Sequence, residues 1–457
     1  MKTLIWLLVL VAGFGLMLVA YFALGRVDES APWAAAFMYV GKGEPVAAPD
    51  APACSAARLR YLPLPEFLGD LARQLETSSM PALGRALKER RERVILDSSL
   101  RQDVTPEMLA SGRLPQPGCD EVVRGWSAAH QDAIVVAGKR LEVVGTLRRD
   151  AALFSKTYLL APDSPAAGLF APGSPEVLDA YIPRMSWREA AGAEMQKRLA
   201  AEFPPDRFSP VGSDVRLEAG PYFLYLAGMA VMLLGGSVLF VRLYAWLAGV
   251  VTWRVLAEPL AVLGRWRRLL YGVHAVVFGL MVLAAAVVYF VPPVQSLLLG
   301  ALHAEVEGGA GPLGVAGKVY RSGNIALAAL TTVGINFLLG SLGSITLPSV
   351  VVPGVGSLVE VFRSLIIGLS LAPTTARMSG MMLPHSLTIL VEMEAYIVAT
   401  LFALMVPIYL FRRSEGPTWY GRYGRALLVN LKGLLIIFGI LAVAAVYEAT
   451  EVILQLR

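Results

Sequence analysis

Charge is scarce in this sequence. Asp, Glu, Lys and Arg make up 16% of its 457 residues, whereas 56% are hydrophobic and the mean hydropathy is +0.59. A soluble domain is nearer a quarter charged, so this composition excludes an ordinary soluble protein and points to a membrane. Cysteine is scarcer still: Cys54 and Cys119 are the whole complement. No CxxC pair occurs, and neither cysteine has metal-type spacing. An HExxH zinc motif is missing, as is a GxSG-type serine turn in any apolar run. The stretch GPLGVAGKVY at 311–320 is no phosphate loop, since Pro312 stands where that loop needs glycine and Val319 where it needs Ser or Thr. These absences predict a chain with no catalytic group, no metal and no cofactor.

The net charge of +5 is unevenly placed. Between Arg26 and Glu218 there are 24 basic and 26 acidic residues, and the remainder carries 16 basic and 9 acidic. The basic excess thus belongs to the apolar part, where short cytoplasmic loops collect Lys and Arg. No basic patch with interleaved aromatics occurs, which argues against nucleic acid.

Seven apolar runs are long enough to cross a bilayer: 3–25, 221–243, 269–291, 323–342, 350–372, 385–411 and 426–448. The first is longer than a signal-peptide core and reads as a signal-anchor span, residues 1–25. Two loops are rich in arginine. One, 242–268, carries Arg242, Arg254, Arg265, Arg267 and Arg268; the other carries Arg412, Arg413, Arg422 and Arg425. Both belong in the cytoplasm, and the even number of spans between them makes the two assignments agree. The expectation is a polytopic α-helical protein of the bacterial inner membrane, with about seven spans, N-terminus in and C-terminus out. An α+β extracytoplasmic domain at 26–218 separates span one from a six-span domain at 219–457. Within 342–373 an uncharged link with Pro348, Pro353, Gly354 and Gly356 is read as either two spans or a re-entrant pair.

In the outer domain, residues 26–60 are rich in Ala, Pro and Gly and read as a stalk, and helical periodicity follows at 64–93. IVVAGKRLEVVGTLRR alternates around a Gly-Lys turn and predicts a β-hairpin; KTYLLA at 156–161 predicts a strand, and 186–203 a helix. Cys54 and Cys119 both fall here. An oxidising compartment favours a disulfide, but two unpaired small residues fit the sequence equally.

Residues 105–149 contain Gly112-Arg113-Leu114-Pro115, Glu121-Val122-Val123 and Val143-Val144-Gly145. This pattern resembles the periplasmic core domain of MacB-like and FtsX-like ABC exporter permeases, although Ser127–Asp132 is shorter than in that family and contains His130. The resemblance implies a permease whose ATPase is a separate chain, docked on the basic loop around Arg254, Arg265, Arg267 and Arg268. Without it, the helical stretch at 252–270 reads as an interfacial helix lying on acidic lipid.

The membrane core has polar residues where they are expensive: Glu360, Arg363, His385, Glu392 and Glu394, with Asn336, Asn430 and Lys432 nearby. Glu360 and Arg363 are spaced to pair on one helix. Glu392 lies seven residues after His385, on its face, whereas Glu394 points about 200° away from Glu392. Residues 320–411, with Asn324, the small-residue run GSLVEVFRSLIIGLSLA and Pro384-His385, resemble the stage II sporulation protein M family of non-enzymatic membrane subunits. That family places a glutamate one turn after the histidine, where this chain has Ile389. The five ionisable residues are read as a polar seam or partner-binding face, or else as an ion-pair network that fixes helix register. Expected partners are membrane lipid, a cytoplasmic ATPase subunit and extracytoplasmic envelope proteins, in an oligomer or hetero-complex.

Overall fold

The computed structural model describes residues 2–24, 37–41, 56–63, 93–96, 105–126, 128, 131–136, 138–148, 157–161, 163–170, 178–183, 193–204, 207–212, 219–308 and 311–456. Two compact units form. One comprises Met1–Tyr21, Tyr222–Pro373 and Arg377–Arg457, the other Phe22–Pro221 with Thr374–Ala376.

The first helix, α1 (Lys2–Leu24), carries Leu, Val and Ala on every side. The second unit follows with strands β1 (Phe37–Gly41), β2 (Ala56–Pro63), β3 (Arg93–Leu96), β4 (Leu109–Gly112), β5 (Glu121–Arg124), β6 (Ala133–Val136), β7 (Lys139–Leu147), β8 (Thr157–Leu160) and β9 (Leu178–Pro183). Helix α2 (Ala193–Glu202) and β10 (Phe208–Gly212) complete it. The ten strands form one sheet in the order β10-β1-β9-β2-β3-β8-β5-β7-β4, with β6 paired to β7. Among the described strands only β3–β8 and β5–β7 are parallel. The expected hairpin is present, with Val136 opposite Lys139 and Gly138 at φ +80° in the turn. Its inward residues Ile134, Val136 and Leu141 pack on Val122, Tyr158, Leu160 and Phe170.

Two strands, β1 and β2, fall in the stretch read as a stalk. FMYVG and AARLRYLP are short β-favouring runs whose partners, β9 and β10, lie far along the chain, so local composition hides them. The helix expected at 64–93 falls almost wholly outside the described residues.

The Gly112-Arg113…Glu121…Gly145 pattern forms one knot on this sheet. Arg113 donates from both terminal nitrogens to Glu121, at 2.7 and 2.6 Å, and the Gln116 N–H donates to the same carboxylate at 2.9 Å. Gly112, at φ +79°, and Gly145 pass so close that a Cβ on either would sit within 2.5 Å of a backbone oxygen. Arg113, and then Gln116, hold the Glu121 carboxyl down to about 2, from an ordinary value of 4.5. A carboxyl lowered by folding stabilises the fold fully above its ordinary value and loses that contribution as pH falls from about 4.5 towards 2. Arg113→Ala is therefore expected to flatten the acid decline in protease resistance of the second unit over that range. An unchanged decline would show that other carboxyls set it.

The remaining helices are α3 (Ala219–Val250), α4 (Arg254–Arg265), α5 (Arg267–Phe290), α6 (Pro292–Gly308), α7 (Pro312–Arg321), α8 (Ile325–Val351), α9 (Val355–Ser370), α10 (Ala376–Phe411) and α11 (Trp419–Leu456). Among the described residues six helices are long and apolar enough to cross a membrane: α1, α3, α5, α8, α10 and α11. The protein is therefore a polytopic helical membrane protein. The fifth apolar run, 350–372, yields α9, only 16 residues and about 24 Å long. The reason is where the chain turns: α8 runs through the expected link to Val351, and only Val352-Pro353-Gly354 breaks it, with Gly354 at φ +92°. The centre of α8, Ile335–Thr346, is a π-helix. Nor does α10 begin at His385. It starts at Ala376 and carries Pro384 in its interior.

Backbone contacts at glycine hold the helices together. A Cβ on Gly13 of α1 would lie 2.3 Å from the Met232 nitrogen of α3, and one on Gly228 2.7 Å from the Gly13 oxygen. Helix α1 is thus packed into the bundle by small residues, as membrane helices commonly are. Aromatic residues mark two ends. Tyr222, Phe223, Tyr289 and Phe290 form one ring cluster, while Trp246, Trp253, Trp419 and Tyr420 stand exposed at the arginine-rich end. Tyr222 and Trp246 are about 36 Å apart along α3, a distance that suits two membrane interfaces.

Candidate functional site

Two polar clusters occupy the helical unit, and the two glutamates of α10 are divided between them. Glu394, at mid-helix, is wholly buried. Its Oε1 accepts from the Tyr244 hydroxyl of α3 at 2.8 Å, and its Oε2 lies 2.7 Å from His274 Nε2 of α5. His274 Nδ1 is 2.8 Å from the Leu270 carbonyl, which can only accept. Nδ1 therefore carries a proton, and the Nε2···Oε2 contact holds one more, on the ring or on the carboxyl. Either way the pair is neutral overall, and every polar atom in it has a partner.

The second cluster is acidic. On α9, Glu360 is fully buried and its carboxylate lies 3.3 Å from Arg363 NH1, without a hydrogen bond to either oxygen. Arg363 instead donates from NH2 to the Gly340 carbonyl at 2.9 Å and to Ser344 Oγ at 2.6 Å, both in the π segment of α8. Its guanidinium also stacks on the Tyr396 ring, 4.1 Å from the centroid. The Tyr396 hydroxyl donates to Glu392 at 3.0 Å. Glu392 lies within electrostatic range of Glu448, His385 and Arg363. His385 meets Glu451 at 3.4 Å, and Glu451 also accepts from Thr388 and Gln455, both at 3.0 Å. Glu448 accepts from Tyr320 of α7 at 3.0 Å. Four carboxyls thus meet one guanidinium and one imidazole on α9, α10 and α11.

Of the five seam residues expected from sequence, the structure gathers Glu360, Arg363, His385 and Glu392 and sends Glu394 to the other cluster. Sequence reasoning missed Glu448 and Glu451, because the apolar run of α11 ends near 448 although the helix continues to Leu456. It also missed His274 and Tyr244, isolated polar residues in apolar helices, for which the intramembrane histidine was the available signal. Asn430 braces α11 against α10 by donating to the Phe402 carbonyl at 2.8 Å.

At the arginine-rich end α4 buries Pro259, Leu260, Val262 and Leu263 and is tied to α11 and its approach. Glu258 pairs with Lys432, Arg265 pairs with Glu415 at 2.7 Å, and Arg425 approaches Glu415 at 3.7 Å. Arg412 stacks on Trp266 at 5.1 Å. Arg254, Arg267 and Arg268 are exposed. In the other unit Cys119 is half-buried with a free thiol, and Cys54 and His130 lie outside the described residues.

The groups the two clusters bring together are carboxyls, imidazoles and a guanidinium, side chains that take up, release or share protons and pair with opposite charge. Among the described residues no group of three His, Cys, Asp or Glu is placed to hold a metal ion. Comparison of the chain with known protein families, with curated proteins and with solved structures returns no match.

Proposed function

We propose that this chain is the permease-like membrane subunit of a bacterial cell-envelope complex, an ABC-type transport or mechanotransmission system whose ATPase is a separate chain. In this reading it sits in the inner membrane, N-terminus in and C-terminus out, with residues 26–218 outside and the short α9 as a seventh crossing. Contacts at the helix ends support that path. The Tyr423 hydroxyl donates to the Val350 carbonyl at the arginine-rich end. Gln295, in the helix after α5, donates to the Ser370 and Ala372 carbonyls at the other.

The observation that carries the reading is the tie between α4 and α11. Helix α4 presents exposed arginines and is clamped through Glu258–Lys432 to a helix whose far part, about 24 Å on, bears Glu448. A push on α4 would thus reach the acidic cluster through one continuous helix. The charge reversals Arg254→Glu and Arg268→Glu are expected to lower recovery of a co-purifying ATPase in mild detergent at least about tenfold, read by quantitative mass spectrometry. A wild-type chain that brings down envelope proteins and no ATPase would sink the proposal. That outcome would favour the second reading, a non-transporting scaffold akin to the stage II sporulation protein M family. The fully paired Tyr244–Glu394–His274 cluster, which needs no ligand, suits such a scaffold.

A further inference from the structure

A cavity of about 500 Å³ opens between α1, α3 and α10 at the arginine-rich end, lined by Thr3, Leu10, Leu239, Arg242, Leu243 and Leu390, with Trp246 at its edge. Its volume falls within the roughly 300–1,000 Å³ of ligand sites. The walls are mostly apolar, with Phe240 among the leucines, and the one charged residue in them is Arg242, which stands half-buried. Among the described residues none accepts a hydrogen bond from Arg242 or pairs with it. The other half-buried arginines described in the bundle are both partnered: Arg363 has a carbonyl, a hydroxyl and a ring to rest on, and Arg422 donates to the Leu410 and Gly416 carbonyls. Arg242 lies about 30 Å along α3 from Tyr222, at the edge of the hydrocarbon layer. Trp246, one turn further, is exposed there as interfacial tryptophans are.

We propose that this groove binds one anionic phospholipid, its phosphate on Arg242 and one acyl chain along Leu10, Leu239, Leu243 and Leu390. An unpaired guanidinium beside an apolar trough matches a lipid with charge at one end and hydrocarbon at the other. Basic pockets between helices recognise anionic headgroups in this way, and a planar fork of donors suits phosphate oxygens. A neutral lipid could fill the trough but would bring the arginine no net counter-charge. This inference does not depend on the transport reading.

The test is native mass spectrometry of the full chain released from nanodiscs of equal phosphatidylglycerol and phosphatidylcholine. The wild type is expected to retain one phosphatidylglycerol in at least about fivefold excess over phosphatidylcholine. Arg242→Gln should bring that ratio to parity, and Arg242→Lys should preserve most of it. Equal retention of both lipids by the wild type would overturn the proposal, as would an unchanged excess in Arg242→Gln. Should Arg242→Gln fail to fold, Leu243→Trp fills the trough, and undiminished phosphatidylglycerol retention there counts against the site. Cross-linking of a partner helix to the Leu239→Cys variant, with no lipid retained, would overturn the proposal and assign the groove to protein instead.

Discussion

Glu394→Ala is expected to destabilise the helical unit by about 3–5 kcal/mol, whereas Glu394→Gln should change its stability by less than about 1 kcal/mol. The contrast follows from where the protons are. Alanine leaves the Tyr244 hydroxyl and His274 Nε2 buried without partners. Glutamine replaces the carboxylate atom for atom. Its oxygen accepts from Tyr244, and its amide donates to Nε2 of a neutral His274 that still donates from Nδ1 to Leu270. Thermal unfolding in one detergent measures both variants. If the glutamine variant is as unstable as the alanine one, the pair depends on a full carboxylate–imidazolium charge. If it is stable yet inactive in the cell, the shared proton is needed for function.

Gly368→Leu is expected to cost upwards of about 3 kcal/mol and to dislodge α9, while Gly368→Ala already costs about 1–3 kcal/mol. A Cβ at this position would lie 2.2 Å from the Met281 carbonyl oxygen and 2.9 Å from the Ala284 Cβ, both on α5. The backbone oxygen cannot turn aside as a side chain could, so the helices must separate. Because α9 carries Glu360 and Arg363, displacing it also breaks the contacts of Arg363 with Gly340, Ser344 and Tyr396. The midpoint of thermal unfolding reports the first effect, and protease cleavage at the Val352–Gly354 turn the second. A leucine variant that unfolds like the wild type would mean that α9 does not bear on α5 here.

Long apolar runs made the helices legible, because continuous hydrophobicity over twenty residues has few other readings. Their ends were harder to place. Pro384 suggested a helix start, yet the helix passes through it, since one lost backbone bond is tolerated within a bundle. The hairpin at 133–147 was readable from alternation, which is local, whereas both partners of β1, and β9 beside β2, lie more than a hundred residues away. Spacing on α10 separated Glu392 from Glu394, because helical phase is local too. Which side chains would meet them was a matter of tertiary structure. Glu448, Glu451, His274 and Tyr244 come from helices whose rotation about their axes no sequence period revealed.

The π stretch of α8 has a consequence for how this chain tolerates change in length. Deleting one residue from an α-helix turns everything beyond the gap by about 100° and ruins its buried face. Between Ile335 and Thr346 the helix is already wound with hydrogen bonds reaching one residue further than in an α-helix. A single-residue deletion there can be absorbed by tightening a turn, leaving the helix on either side in its original orientation.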